Sequence, residues 1–150
     1  MKTIFEYNIA ENFVERIETL TPKSNAKWGK MNVSQMLKHC SDVSKITFGD
    51  KKLKRPFISK LIGKMILKKS IKNDSPLGHN KPTHPALIIK HTPDFDSEKK
   101  ELIQLVSRYS SIDKSDFDGR IHPFFGKMNT NQWGILIYKH LDHHLRQFGA

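Results

Sequence analysis

The chain has 150 residues, of which 37% are hydrophobic and 27% are charged. This length predicts one domain over residues 1–150 and excludes a large multidomain enzyme, while the apolar content excludes a wholly disordered chain. Lysine and arginine number 26 against 15 acidic residues, so the formal net charge of +11 favours anionic partners.

The single cysteine, Cys40, excludes an intramolecular disulfide and a multi-cysteine zinc site. It fits a reducing compartment and leaves metal chemistry to histidine and carboxylate side chains. Glu6 and Glu11 precede any apolar run of signal-peptide length, and no apolar stretch approaches the roughly 18 residues of a membrane span. We therefore expect a soluble cytoplasmic protein.

Helical periodicity dominates the chain. The spacing predicts a first helix over Glu11–Leu20. A second helix is predicted from an N-cap at Asn32 to about Phe48, with Gln35 in the capping-box position three residues later. On this second helix His39 lies at the shoulder of the buried side, and Gln35 shares its face.

Residues 51–73 carry nine basic side chains and no acidic one. Phe57, Leu61, Met65 and Ile66 stand at helical spacing within this segment, which predicts an extra basic amphipathic helix. No nucleic-acid motif accompanies the charge, so we expect a helix laid on the domain with its lysines in water. A nucleic-acid face and an acidic membrane surface are the alternative interpretations.

Residues 73–93 hold four prolines and three histidines and are typical of an irregular connection. Helical spacing resumes over Asp94–Ser110, and a last helix opens at Asn129 or Thr130 and runs to about Phe148. With no convincing run of strands, these elements predict an all-α protein, a four-helix bundle with crossover connections and an extra basic helix.

One short sequence echo links the second and the last helix. Gly29-Lys30-Met31-Asn32-Val33-Ser34-Gln35 matches Gly126-Lys127-Met128-Asn129-Thr130-Asn131-Gln132 at five of seven positions. The match predicts that both segments enter a helix in the same way.

The last helix places His140 and His144 on one inward stripe, because residues four apart lie on one helix face. The same stripe contains Trp133, Leu136, Ile137, Gln147 and Phe148. Outside it we expect Lys139, Asp142, Leu145 and Arg146. His143 falls at the edge of the stripe.

Two histidines at this spacing can offer two nitrogens to one metal ion. His39 is a candidate third ligand, which predicts a metal pocket between the second and the last helix, with His122 near its mouth. Cys40 lies about 100° around the helix from His39, and we interpret it as a small buried hydrophobe. Structural histidines without a metal are the alternative.

Two stretches resemble the DinB-like (damage-inducible, YfiT-related) superfamily, and more narrowly one of its domain-of-unknown-function branches. They are Trp28-Gly29-Lys30-Met31-Asn32-Val33-Ser34-Gln35-Met36-Leu37-Lys38-His39 and the end of the chain, where His122-Pro123-Phe124-Phe125-Gly126 leads to His140-Leu141-Asp142-His143-His144-Leu145-Arg146-Gln147-Phe148-Gly149. The resemblance implies a four-helix bundle with right-handed crossovers.

The resemblance also implies a divalent metal held by three histidines, which by position are His39, His140 and His144. Imidazole ligands accept zinc, nickel or iron. In the commoner family pattern an arginine directly follows the last metal histidine, whereas here Leu145 intervenes. His143 is therefore an alternative ligand, and Gln35 and Gln147 are candidates for supporting the ligands from behind.

Characterised relatives include S-transferases and isomerases that use low-molecular-weight thiols. The resemblance therefore implies a metal-dependent enzyme that presents a thiol or water to a small-molecule substrate. The chain has no G-x-S-x-G, P-loop or dinucleotide fingerprint.

From charge and position, we expect Arg146 and the 51–73 segment to hold the carboxylates of an anionic thiol. The alternative function is a non-enzymatic basic module for nucleic acid or an acidic membrane surface. A homodimer is left open.

Overall fold

The computed structural model covers residues 1–150 and contains five α-helices and one small antiparallel hairpin. The elements in chain order are α1 (Tyr7–Glu18), α2 (Val33–Phe48), α3 (Phe57–Ser70), α4 (Phe95–Ser111), β1 (Ile121–His122), β2 (Gly126–Lys127) and α5 (Thr130–Gln147). Short 3₁₀ turns lie at Pro85–Leu87 and Lys114–Phe117. The all-α class is confirmed.

Helices α2 and α5 begin with the same capping box. The Asn32 side chain accepts a hydrogen bond from the Gln35 backbone, and the Gln35 side chain accepts one from the Asn32 backbone. Asn129 and Gln132 repeat the pair at the start of α5. The prediction drawn from the sequence echo is therefore confirmed.

Helix α1 begins at Tyr7, one turn earlier than predicted, because Ala10 continues the buried spacing of Phe13 and Ile17. Helices α1, α2, α4 and α5 contribute to one apolar core. Its fully buried members include Phe13, Ile17, Met36, Leu37, Leu102, Val106, Leu141 and Leu145. Each such side chain contributes roughly 1.5–3 kcal/mol on burial, so the core fixes the relative positions of α2 and α5.

Helix α5 is buried on more sides than its stripe predicted. Leu145 is 1% exposed and packs in the core, and Lys139 is 6% exposed. The Lys139 ammonium donates to the carbonyls of Ser70 and Asn73, at 2.7 and 2.6 Å. Ser70 is the last residue of α3, where a cation is favourable, and Asn73 follows in the turn after the helix. The expectation that Lys139 and Leu145 lie outside the buried stripe is therefore wrong.

Helix α3 is the predicted extra helix, and its lysines are exposed, but it faces the opposite way from an ordinary amphipathic helix. It packs through Ser59, Gly63 and Leu67, Ile66 of the predicted stripe is half-buried, and Phe57, Leu61 and Met65 are exposed to solvent. A Cβ atom on Gly63 would overlap the carbonyl oxygen of Phe124, so the two backbones meet directly. None of the chain's helices has the length and apolar content needed to cross a bilayer.

Candidate metal centre

Three histidines from two helices meet inside the fold. His39 on α2 and His140 and His144 on α5 each offer one ring nitrogen, and these nitrogens all lie within 4.8 Å of one another. The Nε2 atoms of His39 and His140 are 3.1 Å apart. The group has the ligand number and type to hold one metal ion.

The tautomer of His39 follows from its partner. Its Nδ1 lies 3.2 Å from the backbone carbonyl of Leu87, which can only accept a hydrogen bond. Nδ1 therefore carries the hydrogen in the neutral ring, and Nε2 keeps its lone pair. Leu87 ends a 3₁₀ turn in the connection between α3 and α4, so this connection orients the ring.

His144 is oriented by Gln147 in the same way. Its Nδ1 lies 2.9 Å from Oε1 of Gln147, whose Nε2 donates to the Trp28 carbonyl at 2.6 Å. The amide is thereby fixed with its oxygen toward the ring, so His144 donates from Nδ1 and keeps a lone pair on Nε2. Gly29 has φ +82, and a Cβ there would lie 2.6 Å from the Gln147 amide nitrogen.

Burial keeps the three imidazoles uncharged at neutral pH. Desolvation, together with the neighbouring His39, lowers the pKa of His144 to about 3. Desolvation and the adjacent His144 and His39 hold the pKa of His140 well below its ordinary range, and desolvation also lowers the pKa of His39. Neutral imidazole is the form that binds a metal.

The donor set fits a divalent transition metal. Two nitrogens bound to one tetrahedral zinc ion at about 2.0–2.1 Å lie roughly 3.3 Å apart. The His39 and His140 nitrogens have about this separation, and all three ligand nitrogens lie within 4.8 Å of one another. Hydrogen-bonded imidazoles of this kind suit zinc, nickel and iron. The residues present therefore fit the ion that the resemblance implies.

Two further candidates from the sequence, Gln35 and His143, line the cleft but are not among the three converging histidines. Gln35 donates from Nε2 to the carbonyls of Ile89 and His91, so it holds the segment after Leu87 without bonding a ligand histidine. The His143 ring packs against the rings of Trp28 and His79, with centroids 5.6 and 5.9 Å away.

Two further sequence expectations concern residues on α2 and on the hairpin. Cys40 is buried in the core, and desolvation raises the pKa of its thiol. The structure does not place His122 at the pocket mouth: its Nδ1 accepts hydrogen bonds from the backbones of Phe124 and Phe125, so the hairpin turn holds the ring.

An open cleft of about 500 Å³ leads to the three histidines. Its walls include Trp28, Gln35, Leu77, Leu87, Ile89 and His143. The cationic side chains lining it are Lys30 and Lys81. Arg146 and the 51–73 segment do not line it, so the expectation that they bind a ligand in this pocket is wrong. Helix α3 lies against the hairpin instead, and Arg146 reaches toward Asp142.

Sequence reasoning missed the wall formed by residues 77–89. The apolar run Ala86-Leu87-Ile88-Ile89 inside a proline-rich connection was its signal, since such a run is unusual in a fully solvated loop. The carbonyls of Leu87 and Trp28 leave no signal in a sequence, because every residue has a carbonyl.

Comparison with known proteins gives a family without an assigned activity. The family model described as "Protein of unknown function (DUF1569)" matches residues 2–150. Searches of curated proteins and of solved structures found no match. Because the family model covers nearly the whole chain, this protein belongs to the DUF1569 family.

Proposed function

We propose that this protein is a divalent-metal-dependent enzyme acting on a small molecule, with His39, His140 and His144 as the metal ligands. The observation that carries the proposal is the convergence of three uncharged imidazoles at the floor of an open cleft. Hydrogen bonds at Nδ1 orient two of the rings: that of His39 through the Leu87 carbonyl and that of His144 through Gln147. Such support is a regular feature of metal-binding histidines.

We further propose that α1, α2, α4 and α5 form a four-helix bundle of the DinB-like type. The shared core of these helices supports this assignment, and so does the placement of the histidines on the second and the last of the four. Helix α3 is then an insertion in the crossover from α2 to α4. A solved structure of any DUF1569 member with a different helix order would contradict it.

The proposed reaction class is group transfer to or from a low-molecular-weight thiol. The proposed location of the protein is the cytoplasm. A bound zinc, nickel or iron ion would lower the pKa of a thiol or water and so supply a nucleophile at neutral pH. Leu87 and Gln147 hold the ligand rings, and Lys30 and Lys81 attract an anionic substrate into the cleft. Cys40 is buried, so the thiol comes from solution.

Elemental analysis of untagged protein tests the metal site. We expect about one metal ion per chain in the wild type, its loss in His140→Ala and in His144→Ala, and its retention in the control His91→Ala. His91 is an exposed histidine outside the cleft. Far-UV circular dichroism should show the same helical content in all four proteins. Equal metal content in the wild type and His140→Ala would overturn the proposal.

A turnover assay separates the enzyme from a non-enzymatic module with structural histidines. Metal-loaded protein is mixed with a small thiol and an aryl halide, and thioether formation is followed by absorbance. We expect turnover that disappears in His140→Ala and is kept in His91→Ala. Metal binding without turnover over a panel of thiols and electrophiles would contradict catalysis while leaving the metal site intact.

A further inference from the structure

The outer face of α3 exposes four large apolar side chains. Phe57, Ile58, Leu61 and Met65 are 75%, 52%, 69% and 67% exposed. At 100° per residue they fall within an arc of about 100° on one side of the helix. A contiguous exposed apolar patch of this kind marks an interaction surface, because its exposure to water is unfavourable.

The packing of α3 keeps this arc turned outward. Ser59 and Gly63 lie against the turn of the hairpin. The Ser59 hydroxyl donates to the carbonyl of Pro56, just before α3, and its oxygen lies 3.5 Å from the carbonyl of Pro123 in the hairpin turn. Gly63 leaves no room for a Cβ beside Phe124. Rolling the helix inward would bring a larger side chain against this backbone. The apolar arc therefore cannot turn toward the core.

Lysines surround the apolar arc. Lys60 and Lys69 lie on its two sides, Lys68 lies beyond its C-terminal end, and all three are exposed. The segment from residue 51 to 73 carries no acidic side chain. A lysine reaches from the edge of an apolar face toward negatively charged head groups while its stem stays in the apolar layer.

We propose that α3 docks this protein on an anionic membrane surface, with the arc Phe57-Leu61-Met65 inserted among the acyl chains and the flanking lysines at the lipid phosphates. A helix lying in the interface plane needs both an apolar face and a cationic border, and α3 presents the two together. The proposal does not depend on the metal site.

Two other occupants fit the surface less well. Nucleic acid binds through cations aimed at phosphates and through stacked aromatic rings, whereas here aliphatic side chains occupy the middle of the surface and Phe57 is the one aromatic residue. A second copy of the chain would bring the lysines of two α3 helices together, and each chain carries a formal net charge of +11.

Vesicle co-sedimentation tests the proposal with phosphatidylcholine vesicles and with vesicles containing phosphatidylglycerol. Wild-type protein should bind only the anionic vesicles, and binding should weaken as salt rises. Leu61→Gln with Met65→Gln should reduce partitioning about tenfold. Lys60→Gln, Lys68→Gln and Lys69→Gln together should reduce it by about fivefold per lysine.

The matched control is Lys23→Gln, Lys100→Gln and Lys114→Gln, three exposed lysines on other surfaces. It removes the same charge and should keep most of the binding. A loss equal to that of the α3 triple variant would overturn the proposal, since charge alone would then explain the binding. His140→Ala should bind vesicles like the wild type, so failure of the metal site would not affect this result.

A second readout locates the inserted residue. Met65→Cys carrying an environment-sensitive fluorophore should shift to the blue on anionic vesicles, while Lys100→Cys should not; Cys40 is buried and escapes labelling. No shift at position 65 would overturn insertion. Tight binding to duplex DNA without vesicle binding would assign the surface to nucleic acid. A dimer abolished by Leu61→Gln with Met65→Gln, without vesicle binding, would assign it to a second copy.

Discussion

The Nε2 atoms of His39 and His140 lie 3.1 Å apart, although the two residues are 101 positions apart in the chain. His39 gives its ring hydrogen to Leu87, so its Nε2 offers a lone pair to this contact. A second lone pair at that distance would repel it, and only a shared hydrogen or a cation makes the contact favourable. The packing of α2 against α5 therefore creates a contact that needs either a hydrogen on Nε2 of His140 or a cation between the two rings.

Gln147→Leu should weaken metal binding while leaving all three ligand side chains in place. The substitution removes the acceptor that fixes the His144 tautomer and the link to the Trp28 carbonyl. We expect a loss of about 10–100-fold in metal affinity, measured by competition with a chelator. Gln104→Leu, at an exposed position of α4, is the control and should bind like the wild type. Unchanged affinity in Gln147→Leu would refute the supporting role.

Removal of the metal should lower the melting temperature of the wild type. Binding at a free metal concentration of about 100 times Kd stabilises the folded state by about 2.7 kcal/mol, which corresponds to roughly 5–10 °C for a domain of this size. Differential scanning calorimetry with and without a chelator measures the shift. In His140→Ala the two scans should coincide, and a persistent shift in this variant would argue against the proposed ligands.

Stability should fall in mild acid, partly through His122. Burial lowers its pKa to about 4 from the ordinary 6.5. Between these values the unfolded state binds more protons, so the free energy of unfolding decreases as pH falls from 6.5 to 4, by about 3 kcal/mol for this group. Above pH 6.5 the group contributes no pH dependence.

Urea unfolding of metal-free protein at pH 7.5 and pH 5 measures the effect of His122. In His122→Asn the side-chain oxygen can still accept from the Phe124 and Phe125 backbones but does not titrate. The difference in stability between the two pH values should therefore shrink. The metal-site histidines contribute equally to both proteins. If His122→Asn shows the wild-type difference, the depressed pKa of His122 is not a source of acid sensitivity.

Gly63→Ala should destabilise the fold even though alanine favours helix. The added methyl group overlaps the Phe124 carbonyl oxygen, so α3 must move away from the hairpin. Such overpacking costs about 1–3 kcal/mol and exceeds the helix-propensity gain of at most about 1 kcal/mol. Gly78→Ala, which meets only the flexible end of Lys81, is the control. Chemical denaturation that ranks Gly63→Ala at or above the wild type would contradict direct backbone packing.

Local rules were sufficient to predict the helices and the facing of the histidines. Asn32 and Asn129 are strong N-caps, and the four-residue spacing of His140 and His144 places both on one side of α5. The position of a residue on α5 did not predict how deeply its side chain is buried. Leu145 and Lys139 are buried because α5 has neighbours on several sides, and nothing within α5 itself encodes those neighbours.

The orientation of α3 could not be predicted from its own sequence. Its apolar residues have the spacing of a core-facing stripe, but the contact is decided by the close approach of Gly63 to residues 123–125, some 60 positions along the chain. The segment around Leu87 posed the same difficulty, because its contribution to the site is a backbone carbonyl. Both are long-range contacts with no local signature.

The ammonium of Lys139 joins the far end of α3 to the residue that precedes His140. Moving that end of α3 away would break both hydrogen bonds of the ammonium, and a hydrogen bond of a charged group contributes about 1.5–3 kcal/mol. The C-terminal end of α3 is therefore anchored to α5 by these two hydrogen bonds. The residue that anchors this end of α3 is thus the immediate neighbour of His140 in the chain.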